Sequence, residues 1–199
     1  MRRALVIVEN SMQSGYKYLR EANPKETFRF RGALSPEEML SLGVFEGRYL
    51  DPVSFGTEYP LSWKKNAKLA RADMPPDPAI NAMGVKSRMP LSAWKSAGWI
   101  RSQDPRGWFE WYCRYSMGRN SPDDYRQIAR WRSFARHSGQ VKKNGGGDPF
   151  NRLVQRQALL QWSRDPFPDI REPRLSVYEK AVKYSEIILQ HQMKTLGLI

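Results

Sequence analysis

The sequence predicts a predominantly α-helical α+β fold, organised as one compact domain with a small N-terminal β hairpin or sheet and a C-terminal docking helix. Two observations predict it: a short apolar run and two stretches of period-2 alternation lie within the first 33 residues, and start and stop signals of helices recur from residue 34 onward. A chain of 199 residues is long enough for one sizeable core. We expect a basic globular domain over residues 1–164 and a helix over residues 174–199 that packs on it or on a partner.

The first 33 residues are predicted to form the β region. Ala4–Val8 is a short apolar run, and Gly15–Leu19 and Thr27–Arg31 alternate apolar or aromatic residues with polar ones, as half-buried strands do. An extended arm that lays its lysine and arginine side chains along a polyanion stays open as an alternative. The apolar run is shorter than the core of a signal peptide, about 7–15 residues, or a membrane span of ~20. We expect a cytoplasmic protein, or a nuclear one in a eukaryotic host, with no membrane association.

Residues 34–103 are predicted to form short helices joined by proline-rich connectors. Ser35-Pro36-Glu37-Glu38 starts a short helix that Gly43 ends. Leu61–Ala72 is free of helix breakers for long enough to form a helix with a basic side, and Leu91–Ala97 forms another, closed by Gly98.

The central helices are predicted within residues 104–164. Asp104 can cap a first helix that Gly118 stops, and Ser121 can cap a second whose first residue is Pro122. The second helix is predicted to continue to His137 and to have an apolar face and an opposite basic face, which consist of Ile128, Trp131 and Ala135 and of Arg126, Arg130 and His137. Asp148, followed by proline, can cap a third in the same way. All three starts rest on the preference of helix N-termini for small polar residues and for proline.

A final helix is predicted from Leu175, after the proline-containing segment Asp165–Pro173. Its apolar stripe is suited to packing on another helix. Docking on the domain's own core is the commoner role of such a stripe, and homodimerisation or binding of a protein partner stays open. The stripe consists of Tyr178, Val182, Ser185, Leu189, Gln192 and Leu196, with Ile188 beside it.

Aromatic residues share one face of the first central helix. Trp108, Trp111 and Tyr112 lie on this face, while Glu110 and Arg114 lie on the other at i, i+4, a spacing that lets them pair. An aromatic stripe at helical spacing is typical of a core. The alternative is a platform on which nucleobases stack, with these same three aromatic residues as the stacking candidates.

The charge of the chain favours an anionic partner. With 33 Lys and Arg against 20 Asp and Glu, the formal charge is +13 and the pI is about 10.0. Between Arg106 and Lys143, nine basic residues stand against three acids, a local excess of +6. Phosphate contacts are therefore expected within and just after this stretch. The candidates are Arg106, Arg114, Arg119, Arg126, Arg130, Arg136, Lys142, Lys143, Arg152 and Arg156.

The sequence contains no established catalytic or metal-binding motif. Its single cysteine, Cys113, excludes an internal disulfide or a cysteine-built zinc site, and two histidines 54 residues apart make a histidine metal site unfavourable. We expect neither a metal nor a cofactor. Candidates for catalysis, if the protein is an enzyme, are Glu110, Asp104, Asp123 and His137; the histidine alternatively complements the dipole at the C-terminal end of a helix.

A long run of the chain resembles a known family. The run GWI..DPRGWFEWYCRYSMGR.SPDD.RQI.RW, with LGVFEGRY upstream and VKKN and RQALLQW downstream, is similar to an uncharacterised protein family of bacteria, phages, large DNA viruses and some algae. The resemblance covers roughly residues 34–162 and implies a role in DNA metabolism without implying an activity. The family usually reads GVFGGKY, GRR and KKNC, where this chain has Glu46, Asn120 and Gly145.

Charge, aromatic content and resemblance together predict a protein that binds nucleic acid, DNA in preference to RNA, in phage-like or cellular DNA processing or modification. Two other classes stay open. One is an enzyme that modifies DNA or a phosphorylated nucleotide, with arginines as clamps and a carboxylate as the reacting group. The other is a structural or adaptor protein that works through its C-terminal helix.

Overall fold

The computed structural model describes residues 3–21, 30–71 and 73–199, and helices make up 45% of it. The predicted α+β class with a dominant helical part is confirmed. Within the described residues, none of the helices combines the length and the apolar content that crossing a bilayer requires. The helices are α1 Pro36–Leu42, α2 Leu61–Asn66, α3 Leu91–Ser96, α4 Trp108–Ser116, α5 Asp124–Ser133, α6 Ala135–Asn144, α7 Leu153–Gln161 and α8 Val177–Thr195.

The chain divides into two compact units. Unit 1 comprises residues 1–31, 49–66 and 89–132, and unit 2 comprises residues 32–48, 67–88 and 133–199. Unit 1 therefore holds the N-terminal strands, α2, α3, α4 and nearly all of α5, and unit 2 holds the other helices. The single domain expected over residues 1–164 stays a prediction.

The N-terminal hairpin is confirmed. Strands β1 (Arg3–Asn10) and β2 (Gln13–Glu21) pair antiparallel, with an irregularity after Val8. Val6, Val8 and Tyr18 are buried on one face, as the alternation predicts. The predicted third strand, Thr27–Arg31, falls largely outside the described residues, and its last two positions are not in a strand.

The core of unit 1 is built around α4. Phe30 packs against the ring of Trp111, with centroids 6.0 Å apart, and against the ring of Trp131 at 4.8 Å. The indole N–H of Trp108 donates to the carbonyl of Gln127 at 3.3 Å, which joins α4 to α5. Because both indoles of α4 are buried, each requires such a partner, and Trp111 finds its own in a carboxylate of α5.

Several predicted helix boundaries are wrong. α4 begins at Trp108 with Gly107 as its N-cap, not after Asp104; Gly107 has φ of 89°, a conformation that only glycine adopts without strain. The helix predicted over Leu61–Ala72 ends at Asn66. The third helix begins at Leu153 and not after Asp148, because residues 148–152 form turns.

The second predicted helix is two helices. α5 ends at Ser133 and α6 begins at Ala135, with Phe134 between them. The ring of Phe134 stacks on Trp162 at a centroid distance of 4.8 Å, within unit 2. Sequence periodicity gave no sign of this break, because a phenylalanine is an ordinary residue inside a helix.

Unit 2 packs α1, α6, α7 and α8 around a core that includes Met39, Leu159 and Ile188, each fully buried. The predicted start of α1 is confirmed, since Ser35 and Glu38 form a reciprocal capping box. α8 docks on unit 2 itself: Tyr178 hydrogen-bonds with Ser41 of α1 at 3.2 Å. Of its predicted stripe, Leu196 lies past the end of the helix and is 71% exposed.

Candidate functional site

Helix α4 carries many of the residues that the sequence nominates for function. Every side chain from Trp108 to Tyr115 is buried. Trp108, Trp111 and Tyr112, the stacking candidates, are each at most 1% exposed and pack on one another. They therefore form the core of unit 1 and present no ring face to a nucleobase, which corrects the stacking alternative.

Charged side chains are buried against α4. Arg114 is fully buried and lies between three carboxylates: its Nε is 2.6 Å from Glu58, its Nη1 is 3.1 Å from Asp104, and its Nη2 is 3.4 Å from Glu110. Arg119, also buried, donates two hydrogen bonds of 2.7 Å to Asp104. Burial of a charge is costly unless it is paired, so these contacts are a condition of the fold. We call these five residues the buried charge network.

The buried charge network corrects two predictions. Asp104 does not cap a helix, because both of its carboxylate oxygens accept hydrogen bonds from arginines. Arg114 and Arg119 do not fit the expectation that they hold phosphates, because their guanidinium groups face carboxylates inside the protein. The predicted pairing of Arg114 with Glu110 is confirmed, although it lies in the interior and not on a solvated face.

Arg106 ties the hairpin to the start of α4. Its guanidinium donates to Asn10 at 3.2 Å and to Ser11 at 3.0 Å, in the turn of the hairpin. It also lies 3.5 Å from the carboxylate of Asp51 and 3.7 Å from that of Glu110, and its side chain is only 10% exposed. This arginine is therefore occupied by the protein, against the prediction that it contacts phosphate.

Glu110 differs electrostatically from an ordinary glutamate. Burial raises its pKa to about 7, against the charge of Arg114 and a 2.8 Å hydrogen bond from the backbone N–H of Arg106. Arg114 offsets the burial only in part, since Glu58 and Asp104 share its charge. A carboxyl group with a pKa near neutrality is suited to proton transfer. Glu110 is nevertheless enclosed by protein, with 1% of its surface exposed.

Polar atoms are left unpaired around the buried charge network. Oε2 of Glu58, the hydroxyl of Tyr59, Oε1 of Glu110 and Nε of Arg119 are buried and form no hydrogen bond. The salt-bridge distances of Glu110 Oε1 to its arginines, 3.4 and 3.7 Å, are long for hydrogen bonds. Oε1 of Glu110 therefore lies near two arginines without accepting a hydrogen bond from either.

Two arginines converge at the surface of unit 1. Arg126 and Arg130, one turn apart on α5, each donate to the backbone carbonyl of Trp99, at 3.4 and 3.3 Å. The guanidinium of Arg130 lies over the indole of Trp99, 5.4 Å from its centroid, and Trp99 is 40% exposed. Asp123, a candidate catalytic residue, is bound by Arg126 through two hydrogen bonds of 2.5 and 2.7 Å. We call Trp99, Arg126 and Arg130 the paired-arginine surface.

The paired-arginine surface has an excess of positive charge. One carboxylate, that of Asp123, stands against the two guanidinium groups. Burial and the charge of Arg126 lower the pKa of Arg130 to about 10. Arg130 stays protonated at neutral pH. Asp123 occupies the fork of Arg126, so an anion at this surface would be attracted mainly by the positive potential of the two guanidinium groups.

The remaining candidates lie in unit 2. Arg136, Lys142 and Lys143 on α6 are exposed, and Arg152 is partly exposed and donates to the carbonyl of Asn144 at 3.3 Å. Arg156 is fully buried. It binds Asp169 at 2.7 and 2.8 Å, so it is a core residue and not a phosphate contact.

His137 does not lie where the dipole argument requires. It is in the first turn of α6, at the positive end of the helix dipole, and not at a helix C-terminus. Burial and the charge of Arg136 lower the pKa of His137, and its ring packs on Phe134. The imidazole is therefore neutral at pH 7 and packs as an aromatic residue.

Two residues central to these arrangements, Glu58 and Trp99, were missed by sequence reasoning. Glu58 lies in a proline-rich segment and is 56 residues away from Arg114 in the sequence, so no local pattern predicts their contact. For Trp99 a signal existed, since a tryptophan just after a helix-ending glycine is placed on a turn near the surface. The described residues contain no cluster of three or more side chains able to hold a metal ion. Cys113 is buried, which raises its pKa and makes the thiolate unfavourable.

Comparisons of the chain with protein-family models, with curated proteins and with solved structures return no match.

Proposed function

We propose that the protein binds nucleic acid, DNA in preference to RNA, through the paired-arginine surface of unit 1. The observation that carries the proposal is the convergence of Arg126 and Arg130 on one carbonyl beside the exposed indole of Trp99. Two guanidinium groups fit a phosphate, and an adjacent indole fits a base, so the group matches the two repeating parts of a nucleic-acid strand.

Other exposed cations support binding without selecting a sequence. Arg132 on α5 is exposed, as are Arg136, Lys142 and Lys143 on α6. With a formal charge of +13, the chain attracts polyanions over distances comparable to the Debye length, about 8–10 Å at physiological salt. The preference for DNA comes from the sequence resemblance alone, because the family that the chain resembles occurs in phages and large DNA viruses. A cytoplasmic location, or a nuclear one in a eukaryotic host, goes with this function.

The proposal is tested by fluorescence anisotropy on labelled duplex DNA, single-stranded DNA and RNA of one sequence, over a series of salt concentrations. The double substitution Arg126→Ala/Arg130→Ala should weaken DNA binding and reduce the salt slope by roughly 0.7–0.9 for each lost phosphate contact. The control Lys64→Ala/Lys65→Ala removes the same charge from exposed positions on α2. Equal losses in the two double variants would remove the paired-arginine surface from the proposal, and no binding by the wild type at ~50 mM salt would overturn the function.

A second function, an enzyme that modifies DNA or a phosphorylated nucleotide, is favoured by the pKa of Glu110, raised to about 7 by its burial. Such a carboxyl group can both take and give a proton near neutral pH. Glu110→Gln decides between the two functions. If this variant binds DNA as the wild type does but no longer produces a mass change in DNA or nucleotide that the wild type produces, the enzyme is the correct function.

A further inference from the structure

An exposed tyrosine lies next to the paired-arginine surface. Tyr125, in the first turn of α5, is 82% exposed, the highest fraction among the large apolar and aromatic side chains that the structure describes. Its side chain makes no hydrogen bond and no ring contact with the described residues. A ring in this position contributes little to the core, and its faces are accessible to a bound molecule.

The helical spacing of α5 places Tyr125 and the two arginines on one continuous face. Four residues follow one another around the helix within an arc of about 140°, at 100° per residue. In order around the arc they are Tyr125, Ala129, Arg126 and Arg130. Trp131, whose ring packs on Phe30 in the core, lies outside this arc. The arc is therefore on the side of α5 that faces away from the core.

Ala129 leaves the ring of Tyr125 uncovered. A side chain on a helix leans toward the N-terminus, so the residue four positions later is a neighbour that can pack on Tyr125. That residue is Ala129, which is itself exposed and whose methyl group covers little of an aromatic ring. The space beside the ring is therefore open on the side where the arginines lie.

Aromatic rings and cations alternate along this face. Tyr125 lies at one end of the arc, and Trp99 lies at the other, where its carbonyl accepts from Arg126 and Arg130 and its ring contacts the Arg130 guanidinium. Proteins that bind single strands combine aromatic rings, on which the bases stack, with cations that follow the phosphates. A duplex gains less from such rings, because its bases are already stacked on one another.

Building on the proposed function, we infer that the paired-arginine surface binds a single-stranded segment of DNA and that Tyr125 is a second stacking residue of this site. One base stacks on Tyr125 and another on Trp99. The phosphates between these bases are attracted by Arg126 and Arg130. The carboxylate of Asp123 reduces this attraction without cancelling it, since it is one negative charge against two positive ones.

Tyr125→Ala tests the inference with little risk to the fold, because the side chain is so exposed. Fluorescence anisotropy compares the variant with the wild type on three labelled ligands of one length: a DNA strand, its duplex, and a deoxyribose phosphate strand that carries no bases. The substitution should weaken the intact single strand by about tenfold, the loss expected for one stacked base. It should change the affinity for the strand without bases by less than about twofold, because that ligand offers charge alone.

Two control variants separate the ring from other effects of the substitution. Tyr125→Phe keeps the ring and should bind all three ligands as the wild type does. Leu61→Ala removes an exposed apolar side chain from α2 in the same unit and should leave every affinity unchanged. The salt slope of Tyr125→Ala should equal that of the wild type, since stacking releases no counterions.

The outcomes distinguish this inference from the proposed function. Binding that depends on Arg126 and Arg130 but is unaffected by Tyr125→Ala would overturn the inference and leave the proposed function in place. An equal loss on the duplex or on the strand without bases would also overturn it, because the tyrosine would then act without stacking on an unpaired base. If the wild type bound the duplex more tightly than the single strand at equal salt, the single strand would be the wrong ligand. The absence of any binding by the wild type would overturn both proposals.

Discussion

Arg119 binds Asp104 through two hydrogen bonds of 2.7 Å, one from each terminal nitrogen, inside unit 1 where both side chains are at most 1% exposed. Asp104 also accepts a hydrogen bond from Arg114 at 3.1 Å. One carboxylate thus neutralises parts of two buried guanidinium groups. Its loss would leave positive charge in the interior without a counter-charge.

Asp104→Asn should therefore reduce the free energy of unfolding by about 3–5 kcal/mol, the usual cost of breaking a buried ion pair by removing one partner. Denaturation in urea, followed by tryptophan fluorescence, measures this change. The control is Asp73→Asn, which removes a carboxylate from an exposed pair with Arg71 and should leave the midpoint unchanged within error. Similar midpoints for the two variants would contradict the structural role of Asp104.

The contribution of Glu110 to the stability of the protein should fall as the pH rises between about 4.5 and 7. Its pKa is raised to about 7 in the folded state, so in this range the folded protein binds more protons than the unfolded chain. The stability that Glu110 contributes is fully present below the pKa that Glu110 has in the unfolded chain. It is lost as the pH rises through the pKa of Glu110 in the folded protein. A shift of this size corresponds to a change on the order of 3 kcal/mol.

Glu110→Gln isolates that contribution, since glutamine does not titrate. The unfolding free energy of the wild type minus that of the variant, measured in urea at several pH values from 5 to 8, should fall as the pH rises toward 7. Glu186→Gln, an exposed substitution on α8, serves as the control and should show a constant difference. A constant difference for Glu110→Gln as well would mean that its pKa is close to that of an exposed glutamate.

The elements that could be predicted from sequence are those whose signals are local. Ser35 and Glu38, which are three residues apart, indicate the start of α1, and the alternation in Gly15–Leu19 indicates β2. Asp104 shows where local signals fail. An aspartate before a proline has the pattern of a helix N-cap, yet its carboxylate binds arginines 10 and 15 residues later. Only the folded chain distinguishes the two uses.

The candidate site could be predicted only in part, because its contacts join residues that are far apart in the sequence. The sequence does contain an excess of basic residues, but Arg114, Arg119 and Arg156 form salt bridges with buried carboxylates. Tertiary contacts determine those partners. Arg126 and Arg130 were predicted to share a face, and they do converge on one carbonyl. That this carbonyl belongs to Trp99 follows from packing between α5 and the segment after α3, which periodicity does not encode.

The docking of α8 on unit 2 can be tested with two adjacent isoleucines. Ile188 is fully buried, whereas Ile187 is 38% exposed. Ile188→Ala should cost about 2–5 kcal/mol of unfolding free energy, as large-to-small changes in cores do. Ile187→Ala, chemically identical, should cost less than roughly half of that. Equal costs, measured by urea denaturation, would contradict the packing of α8; a change in sedimentation for Ile187→Ala alone would reveal self-association through its exposed face.

The last prediction separates stacking from charge at the paired-arginine surface. Trp99→Leu removes the indole and keeps both arginines, so it should weaken single-stranded DNA by about tenfold, in line with roughly 1–3 kcal/mol for one stacked base. Duplex DNA should be affected less, because its bases are already stacked on one another. The salt slope should stay the same, since stacking releases no counterions. Phe150→Leu, which alters an equally exposed aromatic residue in unit 2, is the control. Anisotropy titrations at three salt concentrations measure all of these quantities. A reduced slope with Trp99→Leu would mean that the indole acts by positioning Arg130, over whose guanidinium it lies, and an unchanged affinity would remove base stacking from this surface.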